Sequence, residues 1–209
     1  MKIKIKNIPY LTLLLGILVL ACSKNDSNEN KTESFYELYG DQPYLGQVES
    51  RAYFPDGQSS NKNQGQGSFH LIKGKGDSVK LVVYGKLSTS DSVSFILGGV
   101  QNGTDWIMSD GEQEANVHGQ LLSGILNVGD MKLTLKGNLF DNLLFLELSQ
   151  EFLATYENIP LGTVIKYNFN LEKVDKTSGN QTPCTNIVWI WKNIWTPSGL
   201  QMIQVPQCR

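Results

Sequence analysis

Between Phe35 and about Lys173, apolar side chains return at every second residue over short runs that end in Gly, Asp or Asn. A period of two belongs to strands with one buried face, and it leaves little room for helix. Eight runs carry it: "QVESRAYF" (47–54), "SFHLIKG" (68–74), "SVKLVVYGK" (78–86), "SVSFILGG" (92–99), "GILNV" (124–128), "MKLTLKG" (131–137), "LLFLELS" (143–149) and "TVIKYNFNLEK" (163–173). "VGDMK" and "FDNLL" hold turn residues of the kind that join neighbouring antiparallel strands. Only "SQEFLATYEN" (149–158) has helical spacing, with Phe152, Leu153 and Tyr156 three or four residues apart. A meander of this length must close on itself or pair face to face, because open edges template aggregation. The expected fold is all-β: an antiparallel eight-stranded meander barrel over residues 35–175, with a β-sandwich as the alternative.

Residues 176–209 read differently. After the hydrophilic linker "KTSGNQTP" (176–183) comes "CTNIVWIWKNIWTPSGLQMIQVPQC", which holds three of the four tryptophans within seven residues. As a strand, "IVWIWKNIW" places Trp189, Trp191 and Trp195 on one face with Ile187 and Asn193, and Val188, Ile190, Lys192 and Ile194 on the other. "TPSG" (196–199) has the residue order of a type I turn. Centring the turn on Pro197 and Ser198 sets Trp195 opposite Leu200, Trp191 opposite Gln204 and Ile187 opposite Cys208. The tryptophan face then spans about 20 Å. It serves either as a ligand platform or as a surface packed on the barrel or sandwich wall, and the apolar character of both faces favours packing.

The N-terminus carries an export signal. "MKIKIKN" is basic, and "IPYLTLLLGILVLA" is an apolar run too short for a comfortable membrane span. "VLAC" (19–22) resembles the bacterial lipobox. That resemblance implies cleavage after residue 21, acylation of Cys22 and attachment to a bacterial membrane through its acyl chains, which together exceed the marginal anchoring of a single chain. Residues 23–34, "SKNDSNENKTES", have no apolar side chain and read as a solvated tether. Lys24 and Asp26 there resemble the charged tags by which Bacteroidetes export some lipoproteins to the cell surface. With Cys22 lipidated, Cys184 and Cys208 remain to pair in an oxidising compartment. A bridge between them would close the hairpin and stabilise it by about 3 kcal/mol. Since α-carbons of bridged cysteines lie within about 7 Å, residues 184–186 must curl back toward Cys208.

The stretch "LLSGILNVGDMKLTLKGNLFDNLLFLELS...IPLGTVIKYNFNLEK" (121–173) resembles the closing strands of the calycin-like, lipocalin-like lipoproteins of Bacteroidetes. The resemblance implies an eight-stranded up-and-down barrel at the outer membrane. The Gly-x-Trp mark of true lipocalins is missing from the first strand, so a lipocalin-type cavity is not implied; Trp106, in "NGTDW", reads as a loop or strand-edge residue.

Signs of catalysis are few. His70 and His118 are the only histidines and stand in no metal-binding spacing. They read as structural, His70 on a strand and His118 in a loop. No Gly-x-Ser-x-Gly elbow occurs, and "GKGDS" (74–78) lacks the spacer of a phosphate-binding loop. Asp110, Glu112 and Glu114 cluster in "SDGEQE" without the pattern of a calcium loop and read as a solvated turn. The two "DSV" triplets resemble the O-glycosylation acceptor of exported Bacteroidetes proteins, with Ser78 and Ser92 as acceptors, or simply open two strands. A net charge of −2, with no basic block beyond the extreme N-terminus, argues against nucleic acid. The expectation is a non-enzymatic envelope lipoprotein without cofactor or metal, which either binds a glycan, peptide or lipophilic ligand or docks another envelope protein.

Overall fold

Ten strands, each joined in sequence to the next, close into one antiparallel barrel in the computed structural model. It describes residues 33–87, 91–111, 113–156, 158–174, 187–196 and 199–208, the side chains at 187, 194–196, 199–201 and 208 excepted. A helical turn, α1 (Phe35–Tyr39), precedes β1 (Tyr44–Tyr53), β2 (Asn63–Lys73), β3 (Ser78–Leu87), β4 (Ser92–Asn102) and β5 (Asp105–Asp110). The barrel continues through β6 (Gln113–His118), β7 (Leu121–Val128), β8 (Met131–Leu139), β9 (Leu143–Phe152) and β10 (Val164–Lys173). Closure is made by β1 on β10, from Tyr44 opposite Lys173 to Tyr53 opposite Val164.

The expected count of eight is thereby corrected to ten, and closure rules out the sandwich. The added strands are β5 and β6, "DWIMSD" and "QEANVH". Each offers only two inward side chains, Trp106 and Met108 or Ala115 and Val117, too shallow an alternation to stand out. Trp106 is no loop residue: it is fully buried, and its Nε1 donates to the Val79 carbonyl at 3.0 Å. Gly99 leaves room for its ring, since a Cβ there would lie 2.6 Å from it. Among the described residues of 149–158 no helix forms; β9 runs to Phe152, and Tyr156 makes a bridge with Ile159. Helix occurs instead at α1, where Ser34 and Glu37 make a reciprocal capping box. Phe35 and Tyr39 from α1 are buried in the barrel core, and the Phe35 N–H donates to Gly103 O in the β4–β5 turn at 2.7 Å. Lys173 secures that end, with its Nζ 2.9 Å from Leu38 O and 2.6 Å from Asp41.

Inward residues of all ten strands form one apolar core, including Phe69, Leu81, Trp106, Leu135, Leu148 and Phe169. A row of glycines lets that core fill. Gly46 on β1 lies opposite Gly67 on β2, and Gly67 opposite Gly85 on β3. A Cβ on Gly67 would stand 2.9 Å from Phe169 and 3.0 Å from Leu171; one on Gly85 would stand 3.0 Å from Val93 and 3.2 Å from both Phe169 and Val48. Large side chains therefore occupy the space the row leaves bare. The outer wall carries Glu49, Arg51, Lys136, Glu147 and Lys166, so polarity is the reverse of that in a membrane-spanning barrel with a polar lumen.

Gly67→Val is expected to lower stability by about 1–3 kcal/mol through overpacking, seen as a lower urea midpoint at unchanged slope. Gly98→Ala, whose Cβ meets nothing within 4 Å, should shift stability by less than about 0.5 kcal/mol.

Candidate functional site

The terminal segment forms a second, two-stranded sheet, β11 (Ile187–Thr196) with β12 (Gly199–Cys208). Its register is the expected one: Trp195 faces Leu200, Trp191 faces Gln204 and Ile187 faces Cys208. One face docks on the outside of the barrel. Val205 is fully buried there against Val82 and Tyr84 of β3 and Ile96 of β4, with Ile72, Ile190 and Ile203 packed around them. Lys192, on the same face, sets its Nζ 5.7 Å from the centre of the Tyr84 ring.

The other face is buried at Pro206 and open from there toward Trp191 and Met202, which corrects the expectation that both faces are covered. Trp191 is 62% exposed, Trp189 44% and Met202 66%. Trp189 and Trp191 lie two residues apart on β11, and Met202, opposite Asn193, continues their surface on β12. Trp195 belongs to the same strand, with its side chain outside the described residues.

Beneath the hairpin lies His70. It points out of the barrel from β2 yet is 5% exposed, and its ring meets the Trp189 ring edge-on at 5.4 Å. The Gln204 backbone hydrogen-bonds the ring, while Nδ1 is buried without a partner among the described residues. Burial lowers its pKa from 6.5 to about 4, against the smaller opposing effect of the Gln204 backbone. The imidazole is therefore neutral when the hairpin is docked. No sequence signal distinguished this histidine, because what covers it is distant in the chain.

The remaining sequence-derived residues are dispersed. His118 ends β6, not a loop, and pairs with Asp105 at 2.7 Å; Gly119 N–H and His118 together hold the Asp105 carboxyl below the usual range. Asp110 and Glu114 are exposed on either side of the β5–β6 turn, and Glu112 lies outside the described residues. Among the described residues no group of three His, Cys, Asp or Glu is placed to hold a metal. Ser78 and Ser92 open β3 and β4, the former half-buried and the latter exposed. Cys22, Cys184 and the Cys208 side chain lie outside the described residues, and with them the lipid site and the bridge.

Two shallow grooves mark the outer wall. One, of about 580 Å³, lies between β12 and the barrel and is lined by Gln47, Gln64, Gln66, Asn170, Pro206 and Gln207 among others. The other, of about 630 Å³, continues over β7 to β10 past Asn138 and Phe145. The chain matches no protein-family model, no curated protein and no solved structure.

Because the unfolded chain protonates His70 first, stability should be full above pH 6.5, fall as the pH drops toward about 4, and lose nothing further from this group below that. The loss should reach about 3 kcal/mol. Urea midpoints across this range, compared between the native protein and His70→Leu, check it: the variant should lack this component of the slope.

Proposed function

We propose that the protein is a lipid-anchored binding lipoprotein of the bacterial outer membrane, tethered through Cys22, which captures a glycan, peptide or lipophilic molecule on the outside of its barrel. The exposure of Trp191 and Trp189 beside Met202 carries this reading, because aromatic and Met side chains grouped in the open on a docked sheet are the make-up of a recognition surface. The filled core supports an external site over a lumenal one. The likeness of residues 121–173 to calycin-like lipoproteins, the lipobox-like "VLAC" and the polar tether support the anchor. The proposed chemistry is capture without turnover, with no cofactor.

A second reading, an assembly lipoprotein that docks another envelope protein, has its own observation. Leu153, Tyr156 and Leu161 on the β9–β10 loop are 48%, 60% and 57% exposed, an apolar surface far in sequence from the hairpin.

Cys22→Ser should abolish acyl labelling and release the protein from membranes. Trp191→Ala should weaken binding of a ligand found by glycan, peptide and lipid arrays by about tenfold. The same change should leave stability within about 0.5 kcal/mol. Retained binding in Trp191→Ala, together with a stoichiometric envelope partner lost in Tyr156→Ala, would favour the assembly role instead.

A further inference from the structure

A line of outward side chains crosses six strands of the barrel wall. Gln66 on β2 lies opposite Gln47 on β1, and Gln47 opposite Asn170 on β10. Asn170 then faces Phe145 on β9, Phe145 faces Asn138 on β8, and Asn138 faces Leu121 on β7. All six are exposed. At about 4.8 Å between strands, the line is roughly 24 Å long. The two grooves lie along it and run into each other at Gln47 and Asn170, which line both. At its β2 end the first groove reaches Pro206, the residue opposite Trp189 in the hairpin.

We propose that this line is the binding site for an extended, neutral oligosaccharide. Four amide side chains offer donors and acceptors together, the match for hydroxyl groups that both give and take hydrogen bonds. No hydrogen bond engages those four side chains among the described residues. Phe145, 45% exposed between Asn170 and Asn138, supplies a flat apolar surface for the C–H face of a sugar ring.

Charge selects against other ligands. The line holds no ionic side chain; in register beyond it lie Lys86, past Gln66, and His118, past Leu121 and paired with Asp105. Of the acids beside it, Glu49 is engaged by Lys62 at 3.0 Å and Gln64 at 2.7 Å and Glu147 by Lys166 at 3.5 Å, while Glu172, exposed in the first groove, disfavours an anionic ligand there. A peptide that binds by adding a strand needs an open sheet edge; the closed barrel has none, and where β12 of the hairpin borders the first groove Pro206 has no N–H to give to such a ladder. A glycan needs no ladder, since its hydroxyls radiate from the chain. This inference rests on the binding reading above and extends the site from the tryptophan face along the wall.

The test is calorimetric titration of the full mature protein with ladders of neutral gluco-, manno-, galacto- and xylo-oligosaccharides from the disaccharide upward. Acidic oligosaccharides and extended peptides serve as comparators. Affinity for one neutral series should rise with chain length until the line is spanned. Phe145→Ala and Asn170→Ala should each weaken it about five- to tenfold. Asn170 is exposed, so its variant should leave the melting temperature unchanged; because the Phe145 ring also packs edge-on against Phe140 at 6.5 Å, Phe145→Ala is titrated well below its own melting temperature. Glycan binding lost in Trp191→Ala but untouched in both wall variants overturns the wall site and leaves the tryptophan-face reading standing. Preference for an acidic oligosaccharide or a peptide, weakened by Phe145→Ala, overturns the neutral-glycan class. Failure to bind any glycan overturns the inference, while the peptide and lipid arrays judge the binding reading separately.

Discussion

The rest of the molecule depends on the close packing of inward side chains over Gly46, Gly67 and Gly85, three glycines in register on the adjacent strands β1, β2 and β3. Barrel diameter grows with strand number, and an eight-stranded barrel is already wide enough to hold a small ligand. Here three glycines in register remove the inward side chains from one stretch of wall, and Leu171, Phe169, Val48 and Val93 occupy the space. Trp106 fills another part of the interior against Gly99. The consequence is functional as well as structural. With its interior given over to packing, the barrel offers ligands its exterior, where the tryptophan face, the amide line and both grooves lie.

A second consequence concerns which exterior surfaces are covered. On most strands the outward residue is polar, but β3 reads Leu81-Val82-Val83-Tyr84 and β4 reads Phe95-Ile96-Leu97, runs without alternation that make both faces apolar. Those faces need a cover, and the hairpin supplies it with Ile190, Ile203 and Val205. The same docking buries His70, so desolvation of an imidazole opposes the apolar gain, and a buried acceptor left unmatched costs on the order of 1–3 kcal/mol. Hairpin and barrel are thus coupled through a titratable group that barrel closure alone would leave on the surface.

Much of this was legible in the sequence, for identifiable reasons. All eight predicted runs lie on strands, most because their alternation is deep and those of β3 and β4 because short, β-branched apolar runs bounded by turn residues also read as strand. The hairpin register follows from the turn placed at Pro197 and Ser198. β5 and β6 escaped because Ala115 is small and Asp110, Gln113 and Glu114 resemble a turn. The start of β2 escaped because "NQGQG" (63–67) has the composition of a loop; its glycines face inward and its glutamines outward, a strand pattern only once Phe169 and Leu171 of β10 are known to fill the space over Gly67. The Ser34–Glu37 capping signature of α1 was present and overridden by the surrounding period of two. Exposure of the tryptophan face was the least legible feature. Apolar character on both sides of β11 suggested burial on both, whereas the apolar runs of β3 and β4 required only one cover.

The exterior therefore divides along the edge of the hairpin, and the division is informative. On one side, β3 and β4 are apolar and covered; on the other, β1 and β7 to β10 present amides, flanking acids and Phe145 uncovered. A wall that only had to stay soluble is served well by charge, and this one carries charge in the neighbouring register, Glu49, Glu147 and Lys136, but none from Gln66 to Leu121. Amides are poorer than carboxylates or ammonium groups at keeping a surface solvated, yet better at meeting uncharged hydroxyls in either hydrogen-bonding sense. Pro206 and Trp189 stand where the covered and uncovered walls meet, so the hairpin covers β3 and β4 with one face and borders the amide line with its edge.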